Sequence, residues 1–271
     1  MIPRRKKPSF YVLAALLLPL AGGGLIACDE DDDADGDHDG HDAGKKDAGS
    51  KDAGSKDAGS KDAGSKDTGT GDQDSGDSAD PKLSFFVTSD TSPNAALGGL
   101  SGADARCAKL AKAVGAGSKT WHAYLSVAKG PGDKPVHARD RIGKGPWYNS
   151  KGVMLAKDLD ALHARSGDAE VFIDENGKKI NGQWAGSPSP VEHDVLTGST
   201  PEGMLLEGKT CEDWTSSQMG MAAQVGHSDG LGPNMNSMGM YASWNSSHEN
   251  GGCDNTLPRG GAGRLYCFAV E

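Results

Sequence analysis

The sequence predicts an α+β domain of few regular elements and much loop, occupying the C-terminal two-thirds of the chain. Three observations point there. Residues 101–115 space their apolar side chains as an amphipathic helix does. Several short runs alternate apolar and polar residues, or concentrate aromatic and β-branched ones, as strands do. Between these runs lie long glycine-rich stretches, the chain holding 40 glycines in 271 residues.

Taken in order, Leu83 to Thr88 reads as a strand centred on Phe85, Phe86 and Val87. The helix follows, with Ser101 as N-cap and Asp104 three residues on, a capping-box-like pair. Ala103, Cys107, Leu110, Ala111 and Val114 fall on its apolar face, and Gly115 stops it. Trp121, Ala123, Leu125 and Val127 alternate with His122, Tyr124 and Ser126, the pattern of a half-buried strand. Leu155 to Ala164 reads as a short helix, and Glu170 to Ile180 as a hairpin turning at Asn176-Gly177. Arg264 to Val270 is the last strand, and residues 219–258 read as glycine-rich loop.

The first 82 residues have a different character. Arg4, Arg5, Lys6 and Lys7 precede an apolar run from Phe10 to Leu20, too short to span a bilayer and suited to a signal-peptide core. Leu25-Ile26-Ala27-Cys28 then resembles the bacterial lipobox, which implies cleavage after residue 27 and a lipid on Cys28. Two or more acyl chains anchor firmly, at about 0.8 kcal/mol per buried methylene. Residues 28–82 form an acidic linker in which Lys-Asp-Ala-Gly-Ser recurs at Lys46, Lys51, Lys56 and Lys61. The repeat has no apolar face to bury, so a disordered tether is expected, with an r.m.s. reach of about 40 Å. Within it Asp35 to Gly40 imitates the start of an EF-hand loop, but Lys46 stands where a bidentate Glu is needed.

The expected protein is therefore a lipid-anchored envelope protein facing the periplasm or the cell exterior, with one domain at 83–271. A net charge of −10 argues against nucleic-acid binding, and the tether carries most of that acidity. Export leaves Cys107, Cys211, Cys253 and Cys267 free to oxidise, and four cysteines allow three pairings.

Several separated motifs carry a resemblance. Phe86-Val87-Thr88-Ser89, Gly98 to Asp104 with Cys107, and Ala123-Tyr124-Leu125-Ser126 form its first half. Cys211 to Ser217, Trp244, Cys253 and Leu265-Tyr266-Cys267 complete it. Together they resemble a widespread extracellular bacterial domain that is similar to endostatin, and hence to the C-type lectin fold. The resemblance implies two nested disulfides, Cys107–Cys267 and Cys211–Cys253, on a loop-rich domain. It does not extend to heparin binding, because the domain has no arginine cluster, nor to a zinc site at the domain start, where matching histidines are missing.

Candidate ligand sites are few. Glu249, Asn250, Asp254 and Asn255 could gather oxygens around calcium, although the Trp244-Asn245-Ser246 strand lacks the Asp of sugar-binding lectins. Met219-Gly220-Met221 and Met238-Gly239-Met240, with Met235 nearby, resemble Met-x-Met pairs that hold copper(I), with His227 and His248 as additional ligands. The competing expectation is that these methionines fill an irregular core. Glu192-His193-Asp194 and Asp168-Ala169-Glu170 read as surface charge groups. No nucleophile elbow, His-Glu-x-x-His or phosphate loop is present, so no enzymatic activity and no cofactor beyond a possible calcium are expected. The expected function is recognition of a glycan or protein ligand, with copper handling or a purely structural envelope role as alternatives.

Overall fold

The protein is described by a computed structural model that covers residues 80–270. The leader, Cys28 and the repeats lie outside the described residues. Among those described, no helix is long and apolar enough to cross a membrane.

A three-stranded antiparallel sheet anchors the domain. It comprises β1 (Phe85–Val87), β2 (Thr120–Ala123) and β9 (Tyr266–Val270), with β9 in the middle. Register pairs Phe85 with Phe268 and Phe86 with Cys267, so strand alternation sorts the side chains onto two faces. Phe86, Trp121, Ala123 and Cys267 face one core, shared with the helix α1 (Gly99–Ala113). Phe85, Val87, Tyr266 and Phe268 face a second core, shared with Trp147, Phe172 and Trp244. Both faces are buried, which is why these strands carry so few polar residues. Cys107, on the buried face of α1, is joined to Cys267 of β9, and Cys211 is joined to Cys253. The nested pairing is the one the resemblance implied.

β3 (Trp147–Tyr148) and β4 (Met154–Ala156) form a short ladder. A second sheet of four strands runs in the order β7 (His248–Glu249), β6 (Gln224–His227), β5 (Asp194–Leu196), β8 (Gly261–Arg264). β5 and β8 are parallel and the other pairs antiparallel. The chain passes from this sheet to the first within the step Arg264-Leu265-Tyr266.

Several local expectations need correction. Ser101 does not cap α1, because the N-cap is Gly98 in a left-handed conformation (φ 79°). Asp104 instead accepts the Ala123 N–H and pairs with Arg141 at 2.6 Å, so a long-range partner displaces the local one. Residues 155–164 split into β4 and a five-residue helix, α2 (Leu159–His163), capped by Asp158. The Asn176-Gly177 turn is present, with Gly177 at φ 79°, but its arms make one bridge, Ile173 to Lys179. The 219–258 segment, expected to be all loop, contributes β6 and β7. At Cys211–Trp214 the chain makes a single turn with all four residues at positive φ, a strained conformation for side-chain-bearing residues. The disulfide at Cys211, the Trp214 indole bonded to the Ser126 carbonyl, and the Asp213 carboxylate bonded to Ala128 and Lys129 N–H groups hold it there.

Candidate metal centre

Strand register assembles a polar cluster at one end of the second sheet. Asp194 lies opposite His227, and Val225 opposite His248. Alternation therefore puts Asp194, Leu196, Val225, His227 and His248 on one face. Leu196 and Val225 continue into the first core, while the other three extend the same face beyond it. His193, just before β5, stacks on His227 with ring centroids 4.3 Å apart and planes 16° from parallel. His193, Asp194 and His227 are 3%, 1% and 2% exposed. The reading of Glu192-His193-Asp194 as a surface charge group is thus overturned. Its polar sequence enters an interior strand flanked by β6 and β8.

The donor atoms converge. Asp194 Oδ1 is 3.4 Å from His193 Nε2 and 3.3 Å from His227 Nε2, and Asp194 Oδ2 is 3.6 Å from His248 Nε2. A tetrahedral site with bonds of about 2.0–2.1 Å sets its ligand atoms about 3.3 Å apart. One atom each from His193, Asp194 and His227 lies within 4.8 Å of the others, and His248 Nε2, 2.9 Å from His227 Nε2, supplies a fourth.

Hydrogen bonding makes the cluster a lone-pair trap. His193 Nδ1 donates to Asp229 at 2.7 Å, and His248 Nδ1 donates to the Glu249 carbonyl at 2.8 Å. A carbonyl only accepts, so the His248 hydrogen sits on Nδ1 and a neutral ring leaves Nε2 as a lone pair. The same tautomer at His193 aims a lone pair at Asp194. Neither oxygen of Asp194 accepts a hydrogen bond, and His227 Nδ1 has no partner either. Unpaired buried polar groups are expensive, a carboxylate above all. A cation between them would satisfy both Asp194 oxygens and the Nε2 lone pairs of the imidazoles at once.

The electrostatics follow from burial. Desolvation pushes Asp194 up to about 6, against the lowering influence of His193 and His248. Desolvation also pushes His227 down to about 3, aided by His193 and His248, so its ring is neutral and free to ligate at neutral pH. At Asp229 burial raises the pKa, yet the bonds from His193 and the Gln183 and Leu231 N–H groups hold it below the ordinary range. Asp229 is then an ionised carboxylate orienting His193, the arrangement that commonly supports a metal-bound imidazole.

The cluster opens into a cavity of about 370 Å³, walled also by Gln183, Met240, Tyr241 and Arg259. The Tyr241 ring lies nearly parallel to His227, 11° apart with centroids 5.9 Å apart.

The residues singled out from sequence distribute unevenly. Of the copper set, only Met240 reaches this cavity, alongside His227 and His248. Met219 and Met238 are 82% and 75% exposed, and Met235 is exposed too, so the expectation that these methionines fill a core fails for them. Met221 alone packs against the core. Of the calcium set, Asn250 is buried with its side-chain oxygen bonded to the Ala223 N–H, and Glu249 pairs with Lys209 at 2.7 Å. Asp254 and Asn255 are exposed, and Asn255 Oδ1 accepts the Leu257 N–H. The sequence reading reached His227 and His248 but missed His193, Asp194 and Asp229. No local signal marks them, because the pairing of β5 with β6 is what brings His193 and Asp194 beside His227.

The chain matches no known protein family, and it matches no curated protein.

Proposed function

We propose that this protein is a lipid-anchored, extracytoplasmic recognition module of C-type-lectin-like fold, whose ligand site is centred on a transition-metal ion. His193, Asp194 and His227 hold the ion, His248 adds a fourth ligand, and Asp229 orients His193. The supporting observation is the Asp194 carboxylate, wholly buried, facing three imidazole nitrogens, with neither oxygen hydrogen-bonded. Imidazole and carboxylate at tetrahedral spacing suit zinc best among common ions. The two-sided core and the paired disulfides agree with an exported binding domain, and the Cys28 lipobox supports the anchor.

Recognition is favoured over hydrolysis because the cavity supplies no free general base. Asp229 already accepts three hydrogen bonds, and Glu249 is paired with Lys209. Copper handling has one supporting observation, Met240 beside His227 and His248.

The test is calorimetric titration of the chelator-stripped, detergent-solubilised full-length protein with zinc and with copper(I), beside Asp194→Asn and His227→Gln variants. One tight zinc site per chain, lost in both variants while near-UV circular dichroism is kept, is the expected result. Equal zinc uptake by all three proteins would assign the metal to the acidic tether and sink the reading. Copper(I) binding without zinc binding would move the assignment to copper handling. Zinc-dependent retention on a glycan and matrix-protein array is then expected from the loaded protein.

A further inference from the structure

The geometry points to a carboxylate as the group this cavity receives: one carboxylate oxygen adds a fifth ligand to the metal and the Arg259 guanidinium pairs with the other. The inference rests on the metal-centred reading above.

Charge is the first argument. A divalent ion held by three neutral imidazoles and the single Asp194 carboxylate leaves the centre with one net positive charge. The remaining walls, Gln183, Pro233, Met240 and Tyr241, are uncharged, and Arg259 adds a second positive charge. Asp229 offsets part of this from behind His193, but it is buried and occupied by its own three donors. The cavity therefore favours an anion, and low polarity around it strengthens that preference.

Arg259 is the second argument. Its guanidinium makes one long contact, 3.4 Å from Nη1 to the Glu249 carbonyl, and no ion pair among the described residues. Its five donors are thus largely unspent, at the mouth of a cavity where a planar, two-oxygen acceptor would meet them in a fork. Backbone placement supports a role rather than an accident. Arg259 sits at φ 64° and Gly260 at φ 98°, in the turn Pro258–Gly260. A Cβ on Gly260 would lie 3.2 Å from His193 Nε2, the nitrogen that faces the metal position. The turn is therefore pressed against the centre, a glycine is needed at that point, and the neighbouring arginine is held in a conformation that side chains seldom adopt.

Size is the third. About 370 Å³ accommodates an acidic sugar or an acidic peptide side chain with its neighbours. Both present the same carboxylate, so the experiment must separate them.

Cobalt(II) replaces zinc and reports its coordination by visible absorption. The full-length protein, stripped and reloaded with cobalt, is titrated with glucuronate, N-acetylglutamate and inorganic phosphate. A saturable spectral change with either carboxylate, and a weaker one or none with phosphate, supports the inference; the tighter carboxylate names the source as sugar or peptide. Arg259→Gln is expected to weaken that response about tenfold while cobalt affinity stays unchanged. A tetrahedral cobalt spectrum that neither carboxylate moves at about 10 mM, well above a ~1 mM dissociation constant, overturns the inference and leaves the metal centre standing. A response to phosphate alone overturns it too. Absence of tetrahedral cobalt absorption overturns the metal centre, and the inference with it.

Discussion

The two larger sheets among the described residues are both largely buried and are filled in opposite ways. In the sheet of β1, β9 and β2, the buried side chains are mostly aromatic and aliphatic, and their aromatic polar tips are satisfied. The Trp121, Trp147, Trp214 and Trp244 indoles each donate to a backbone carbonyl, and the Tyr266 hydroxyl donates to the Trp244 carbonyl at 2.6 Å. At the end of the β7-β6-β5-β8 sheet, three imidazoles and a carboxylate face one another, and neither Asp194 oxygen is hydrogen-bonded. The first arrangement is explained by stability alone. The second lowers stability, and a feature that does so is retained when it binds something.

The largest test of that contrast is on the stable side. Replacing both Cys107 and Cys267 by alanine opens a cross-link between residues 160 apart. Chain entropy predicts a loss of about 5 kcal/mol, read as a lower denaturant midpoint, with a steeper slope because the uncrosslinked unfolded chain exposes more surface. Zinc affinity of the molecules that remain folded should not change, because the staple lies in the other sheet. A large loss of zinc affinity at native fold content would show that the two regions are coupled and would break the comparison.

Asp194→Asn tests the other side and reverses the usual sign of a core substitution. In the metal-free protein the folded state raises the Asp194 pKa from 3.8 to about 6. A raised carboxylate pKa makes the ionised form a burden. Stability from this group is greatest below the unfolded pKa and declines as pH rises through the folded one. Asparagine has no charge to bury, and its amide nitrogen can donate to the His193 lone pair or to the His248 lone pair. The variant is expected to gain about 3 kcal/mol over the metal-free parent at neutral pH, to match it near pH 4, and to lose zinc binding. Saturating zinc should reverse the order, since about thousandfold excess over the dissociation constant stabilises the parent by ~4.1 kcal/mol. Chemical denaturation at several pH values, with chelator and with zinc, reads all of this. A variant less stable than the metal-free parent at neutral pH would mean that the cluster is satisfied as it stands.

The same contrast explains what was legible in the sequence. The stable sheet announces itself through Phe85-Phe86-Val87, the helical spacing of Ala103, Cys107 and Ala111, and a strand-like terminus carrying Cys267. Periodicity of apolar residues records burial of apolar surface, so it finds that region and little else. The metal site is written in the polar residues at the ends of strands three and four residues long, too short for any alternation to stand out. His193, His227 and His248 are three of eight histidines, and nothing in their local sequence separates them from His122, His137 or His163. Only the register of β5 against β6, and of β6 against β7, brings them together, and register is a long-range property. Capping failed for the same reason. Asp104 is three residues from Ser101, yet its bonds go to Ala123 and Arg141.

The smallest expected effect concerns the methionines. Met219 and Met238 are the most exposed large apolar side chains among the described residues, and each belongs to a different Met-x-Met pair. Surface positions without buried contacts shift stability by no more than about 0.5 kcal/mol, so changing both to leucine should leave the denaturation midpoint in place. The informative readout is metal preference. Leucine keeps the shape and removes the thioether, the soft ligand that copper(I) needs. If the centre is built by the imidazoles and Asp194, zinc affinity is unchanged in the double variant and copper(I) gains nothing from the native pairs. A selective drop in copper(I) retention would instead give the exposed thioethers a function of their own. The domain would then carry two metal sites of opposite character, a hard-edged buried one made by strand register and a soft exposed one made by local sequence.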